Sequence, residues 1–178
     1  MPRHTRQFKT WGKSRSIRLK EFDYASPLSI YHLIIGAAEN QNIFTDPTIN
    51  LKVMEILKDS VGLYGYKLLC YCLMPDHLHI LVQATESPKD LRGFVRGFKA
   101  FSTKSTGKNL WQRSFYEHTL RKEEDAVDVA NYILNNPVRK GLAQEGMQYK
   151  WCELLINERS VASPEATTCR PHRSEDAT

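Results

Sequence analysis

Nowhere does the sequence hold a run of apolar residues approaching the ~18 that a membrane-spanning helix needs. The leading residues carry Arg3, Arg6 and Lys9 without the apolar core of a secretory signal, so a cytoplasmic, nucleoid-associated location is the expectation. Acidic residues are missing from residues 1–20, which contain seven Lys or Arg. Cysteine is scarce: Cys70, Cys72, Cys152 and Cys169 form no CxxC pair, which removes a zinc knuckle from consideration. Cys70 and Cys72, two apart in an apolar run, would share one face of a strand and pack there as reduced thiols. No internal repeat is visible, and with it solenoid architectures drop out.

What is present suits one domain. The chain has 178 residues, 41% of them hydrophobic, enough for a single core and too little for two ordinary ones. A net charge of +5 favours an anionic partner. The positive charge is concentrated in residues 1–20 and 89–108, an arrangement that suits a polyanion whose condensed counterions are released on binding. A solvated tail and an ordinary charged helix face would leave the same pattern. Residues 1–27 read as a basic arm, 28–156 as the folded domain, and 157–178 as a polar, disordered tail.

Within the domain, Tyr31, Leu33 and Ile35 alternate with His32 and Ile34, the pattern of a strand with a buried face. Residues 46–63 then show helical spacing at Ile49, Val53, Ile56, Leu57 and Val61, with Asp46 as N-cap before Pro47 and Gly62 and Gly65 at the end. Two strands, 66–74 and 77–82, flank Pro75 and Asp76, a link so short that they must be antiparallel neighbours. Residues 88–106 are helical again. Leu91, Phe94, Val95, Phe98 and Phe101 form an apolar stripe, and Arg92, Arg96 and Lys99 a basic row. A strand over 115–120 and a helix over 123–135, stopped by Pro137 and Gly141, complete an α+β domain with helices on one face of an antiparallel sheet.

The chemistry concentrates in two places. His77 and His79 lie two apart in a strand, so both imidazoles project to one side and can reach one metal ion while Leu78 packs on the other. Their position just after the turn places them near a sheet edge, with Asp76 as a turn residue or a contributor to the metal. On the last helix Tyr132 and Asn136 are four apart and share a face; the Asn136 amide oxygen could join a nitrogen and oxygen shell suited to Mg²⁺ or Mn²⁺. Without the histidines these residues read more readily as a packed tyrosine and an asparagine at a helix end that merely precedes Pro137, whose ring disfavours helical dihedrals at residue 136.

Three segments taken together resemble a known family. Residues 71–82 (YCLMPDHLHILV), 110–121 (LWQRSFYEHTLR) and 131–142 (NYILNNPVRKGL) are similar in content, order and spacing to the single-tyrosine HUH transposases, IS200-like, and within them to the REP-associated tyrosine transposases. The resemblance implies a ferredoxin-like, RRM-like domain with a tyrosine-bearing C-terminal helix. It implies that His77, His79 and Asn136 hold a divalent cation, Mg²⁺ or Mn²⁺, and that Tyr132 is the nucleophile that cuts single-stranded, hairpin-forming DNA, leaving a 5′-phosphotyrosine and a free 3′-hydroxyl. A monomer is favoured over a homodimer. Arg92, Arg96, Lys99, Lys104, Arg139, Lys140 and the basic arm are the expected phosphate contacts, with Trp111 or Tyr116 as stacking aromatics unless Trp111 belongs to the core. Glu117 and His118 fall within the resembling segment without an assigned role. Two other readings compete. One is a domesticated relative that binds DNA hairpins without cutting. The other is a histidine-nucleophile nucleotide hydrolase, which would need a further histidine where Leu81 stands.

Overall fold

The computed structural model describes residues 29–121 and 126–155. The first helix is Pro47–Leu63 (α1), and it begins where the sequence signals it: the Asp46 carboxylate accepts the Thr48 amide at 2.8 Å, and Pro47 occupies the first turn. The second, Leu91–Thr106 (α2), is capped by Asp90, which accepts the Gly93 amide at 3.0 Å, and it ends at Gly107 with a left-handed φ of 66°. The strands are Ile30–Gly36 (β1), Tyr66–Met74 (β2), His77–Ala84 (β3), Tyr116–Thr119 (β4) and Cys152–Leu154 (β5). They form one antiparallel sheet in the order β4-β1-β3-β2-β5. The expected ferredoxin-like α+β architecture is therefore present, with the 75–76 turn joining β2 to β3 as read from the sequence.

The sheet has two different faces. Tyr31, Leu33 and Ile35 of β1 and Leu78, Ile80 and Val82 of β3 point to the side covered by α1 and α2, where Val53, Leu57, Phe94 and Phe98 complete the main core. Alternation sends His32, His77, His79 and Leu81 to the other side. There a second, smaller core forms from Cys70, Cys72, Met74, Leu81 and Cys152 with Ala130 and Ile133 of a third helix, Ala126–Leu134 (α3). The β2 register shifts between Leu68 and Cys70, so a bulge at Leu69 lets Tyr66 and Leu68 face the same core as Tyr71 and Leu73.

Several details differ from the sequence reading. The helix expected over 123–135 is described from Ala126 and restarts after Asn135 as a single turn, Asn136–Arg139 (α4). Contrary to the dihedral argument from Pro137, Asn136 is the first residue of the new helix, with Pro137 in its first turn. Strand β5 was not anticipated; three residues are too few to show a period. Cys72 and Cys152 face each other across β2 and β5 with their sulfurs bonded, so the expectation of reduced thiols fails for this pair and holds for buried Cys70. The basic arm (1–27), the tail (157–178) and Cys169 lie outside the described residues. Among the described residues, no helix is long and apolar enough to cross a membrane.

Candidate metal centre and tyrosine helix

His77 opens β3, and the strand period brings His79 to the same side, so the two Nε2 atoms lie 3.0 Å apart. The centre is not at a sheet edge as expected: β3 is the middle strand, and His79 is 4% exposed. Burial, reinforced by His77 and His32, holds the His79 pKa well below 6.5, so its ring is neutral and keeps one nitrogen lone pair at neutral pH.

Each imidazole has an outer partner. His77 Nδ1 lies 2.6 Å from the Asp76 carboxylate, and the hydrogen bond from His77 is the largest cause of the lowered Asp76 pKa. His79 Nδ1 lies 3.1 Å from Nε2 of His32, a buried residue of β1 whose own pKa falls to about 4 through burial and the proximity of His118. A carboxylate that accepts the Nδ1–H of His77 leaves that ring's Nε2 with its lone pair outward, the form a metal ligand requires.

The two ring pairs have different geometries. His32 and His79 make a 3.1 Å contact with centroids 5.3 Å apart and planes at 22°, so the rings lie end to end and nearly coplanar, as an in-plane N–H···N bond demands. His77 and His79 are as close at nitrogen, 3.0 Å, yet their centroids are only 4.8 Å apart with planes at 78°. The His77–His79 contact is therefore bent rather than collinear. Cation–nitrogen bonds of about 2.1 Å at right angles would place two ligand nitrogens about 3.0 Å apart, so this pair fits a six-coordinate divalent cation.

Asn136 sits in the last turn of the helical segment, buried, with Nδ2 donating to the carbonyls of Tyr132 at 3.0 Å and Ile133 at 3.2 Å. Pro137 has no amide to offer the Ile133 carbonyl, and the side chain supplies the missing donor. Two acceptors on the nitrogen fix the orientation of the amide and leave Oδ1 out of these two bonds. Lys140, just past α4, contributes to the lowered Asp76 pKa, so the end of α4 approaches the turn that starts the histidine strand. Tyr132 is 48% exposed, beside the residues of α3 that pack on the sheet, and the Arg139 guanidinium lies 4.9 Å from its ring centroid. Thus His77 and His79 meet at their Nε2 atoms, while Tyr132 and Asn136 are carried by helices on the histidine side of the sheet; the hydrogen bonds of Asn136 run to α3.

The expected phosphate contacts divide between two faces. Arg139 and Lys140 are exposed at the end of α4, on the histidine side. Arg92, Arg96 and Lys104 are exposed on α2, which covers the opposite side. Lys99 is not available to a phosphate: its Nζ donates to the carbonyls of Gln112, Arg113 and Ser114 at 2.9, 3.4 and 3.0 Å, and burial lowers its pKa to about 8. Trp111 is core, with its indole N–H donated to Ser102 Oγ at 2.8 Å. Sequence reasoning missed His32 as a site residue; the strand alternation put it on the outward side of β1, and only the β1–β3 register reveals that it meets His79.

Residues 25–136 match the family described as "Transposase IS200 like". A Haemophilus influenzae protein named as a candidate REP-associated tyrosine transposase is 28% identical over 121 residues, 57% of this chain and 66% of that one. The REP-associated tyrosine transposase of Escherichia coli K12 is 30% identical over 81 residues, 45% of this chain and 49% of that protein. The chain thus spans between half and two thirds of the length of these relatives. The fold matches that of a REP-associated tyrosine transposase solved bound to a REP hairpin, with a TM-score of 0.64 at 20% identity, covering 74% of this chain and 79% of that one. Since the match takes in β1 to β4 and runs through His77, His79 and Tyr132 to Asn136, the chain belongs to the IS200-like transposase family.

Proposed function

We propose that this protein is a metal-dependent transposase that nicks and rejoins single-stranded, hairpin-forming DNA through a 5′-phosphotyrosine at Tyr132. The observation that carries the proposal is the pair of imidazole nitrogens 3.0 Å apart on the sheet face over which the tyrosine helix packs. A phenol has a reference pKa near 10, so only about one molecule in a thousand is ionised at neutral pH and the attack needs assistance. A divalent cation bound by His77, His79 and the amide oxygen of Asn136 would withdraw charge from the scissile phosphate.

The chain's own residues do the remaining work. Asp76 holds the His77 ring with its Nε2 lone pair outward. Arg139 lies over the ring of Tyr132 and provides a positive charge beside the nucleophile and its phosphate. The Tyr132 oxygen forms a bond to phosphorus as the bond to the 3′-oxygen breaks; the phenolic proton leaves and the 3′-oxygen gains one. A phosphoester is retained, so the 3′-hydroxyl of a second strand can reverse the step elsewhere without an external energy source. Arg139 and Lys140 are the phosphate contacts best placed for a strand on this face.

The test is covalent capture. A hairpin-bearing oligonucleotide labelled 3′ of the cut is incubated with Mg²⁺ or Mn²⁺ and the protein is resolved under denaturing conditions. Wild type carries the label, Tyr132→Phe does not, and both bind the unlabelled hairpin with similar affinity. Undiminished adduct in Tyr132→Phe would remove this tyrosine from the role, and hairpin binding without adduct in the wild type would identify a DNA-binding relative that no longer cuts.

A further inference from the structure

His32 lies 47 residues before His79 in the chain and one strand away in the sheet. It pairs in register with Leu81, so it meets His79 on the diagonal, close enough for long side chains on one face to touch. Both rings are buried, His32 at 8% and His79 at 4% exposure. A buried nitrogen–nitrogen contact of 3.1 Å holds one proton, and which ring carries it decides what His79 can do on its other side.

Two proton arrangements satisfy the row from His32 through His79 and His77 to Asp76. In one, every bond points the same way: His32 donates to His79 Nδ1, His79 donates from Nε2 to His77, and His77 donates to Asp76. That arrangement requires an in-line N–H···N bond between His77 and His79. The rings make that bond the more bent of the two: at nearly equal nitrogen separations, their centroids are closer than those of the His32 pair, 4.8 against 5.3 Å, and their planes cross at 78° rather than 22°, so the better-aligned partner for the proton of His79 is His32. In the other arrangement the proton of His79 is on Nδ1 and is donated outward to His32, as the proton of His77 is donated outward to Asp76. Both Nε2 lone pairs then face inward, toward each other.

We propose that His32 is the positioning residue of the metal site: its Nε2 accepts the Nδ1–H of His79, fixes that tautomer and turns the His79 Nε2 lone pair toward His77. The inference rests on the metal-site reading above and adds to it a second outer partner. The two ligands are thus held by different chemistry, His77 by a half-exposed carboxylate at a turn and His79 by a neutral, buried imidazole from the neighbouring strand. His32 does not join the ligands themselves, because its contact is with Nδ1, the ring nitrogen of His79 that does not face His77. Removing an outer partner of this kind typically weakens metal binding ten- to a hundredfold, roughly.

Manganese affinity, measured by electron paramagnetic resonance on wild type, His77→Ala, His32→Phe and His32→Gln, is the test, together with histidine tautomers read by long-range proton–nitrogen NMR on the metal-free wild type. Wild type binds one Mn²⁺ and His77→Ala does not. His32→Phe keeps the ring volume but has no acceptor, and weakens binding by about tenfold or more. His32→Gln, whose amide oxygen can accept the same proton, stays within about threefold of wild type. The NMR spectrum places the His79 proton on Nδ1. A His32→Phe protein with wild-type Mn²⁺ affinity, or a His79 proton on Nε2 in the wild type, overturns the role of His32 while leaving the site intact. Wild type without saturable Mn²⁺ binding overturns the metal-site reading and this inference with it. The tautomer measurement needs no variant, so it decides the matter even if His32→Phe fails to fold.

Discussion

Lys99 and His32 are opposite cases of a charged or chargeable group removed from water. Lys99 keeps its proton, with a pKa lowered only to about 8, because three carbonyls from residues 112–114 replace the lost hydration. Lys99→Met retains the aliphatic stem and leaves those carbonyls without a donor. A loss of about 2 kcal/mol is expected, read as a lower urea midpoint at unchanged slope; an unchanged midpoint would mean that water satisfies the loop. His32 instead discards its proton, its pKa falling from 6.5 to about 4. Below about pH 6.5 the unfolded chain binds a proton that the folded chain refuses, so stability must fall as pH drops through this window and is fully present above it. His79, also lowered, acts in the same direction. Asp76, a carboxyl held low, adds its own loss only at more acidic pH. The expected outcome is a melting temperature that declines steadily from pH 7 to 4.5, with a shallower slope in His32→Gln; a flat profile in the wild type would show that these rings take up protons without opening the sheet.

At the scale of elements, the parts legible in the sequence were those fixed by a local period or a cap. Asp46 with Pro47 announced α1, Pro75-Asp76 announced the β2–β3 turn, and the spacing of His77 with His79 placed that pair on one side of its strand. What could not be read was set by sheet order and register. A strand period says that two faces exist without saying which one α2 will cover, so Arg92 and Arg96 looked as available to the histidine face as Arg139. Likewise the His32–His79 contact exists only because β1 pairs with β3. The tyrosine helix shows how an element's energetics bear on function. Helix α3 is held by Ala130 and Ile133 against β2 and β5, a much smaller core than the one beneath α1 and α2. Ile133→Ala removes a fully buried side chain there and would cost about 2–4 kcal/mol if the whole domain felt it. Because this core is separate, hydrogen exchange is expected to accelerate first in α3 while α1 and the strands stay protected, with adduct formation falling in parallel. Uniform acceleration across the domain would show instead that the two cores unfold together.

For the molecule as a whole, the question is whether one chain holds a complete site. The sheet supplies the imidazoles on its middle strand, and α3, which bears Tyr132 and leads into α4 with Asn136, packs on β2 and β5 of the same chain, with Lys140 close enough to influence Asp76. We propose that the site forms in cis, from the histidines and the tyrosine of one chain, as this packing allows. The alternative, in which α3 leaves its own sheet and serves a partner's histidines, would have to break the Ala130 and Ile133 packing and re-form it on the other subunit. The two assemblies differ in a way that mixing can read. His77→Ala lacks a ligand but keeps its tyrosine, and Tyr132→Phe lacks the nucleophile but keeps its ligands. If sites form in cis, an equimolar mixture of the two variants makes no covalent DNA adduct, however long it is incubated, because neither chain owns both parts. If helices are exchanged, mixed dimers contain one site with intact ligands from one chain and an intact tyrosine from the other, and adduct returns to a substantial fraction of the wild-type level. We expect no adduct from the mixture, and recovery would require the tyrosine helix to be reassigned to the partner's sheet.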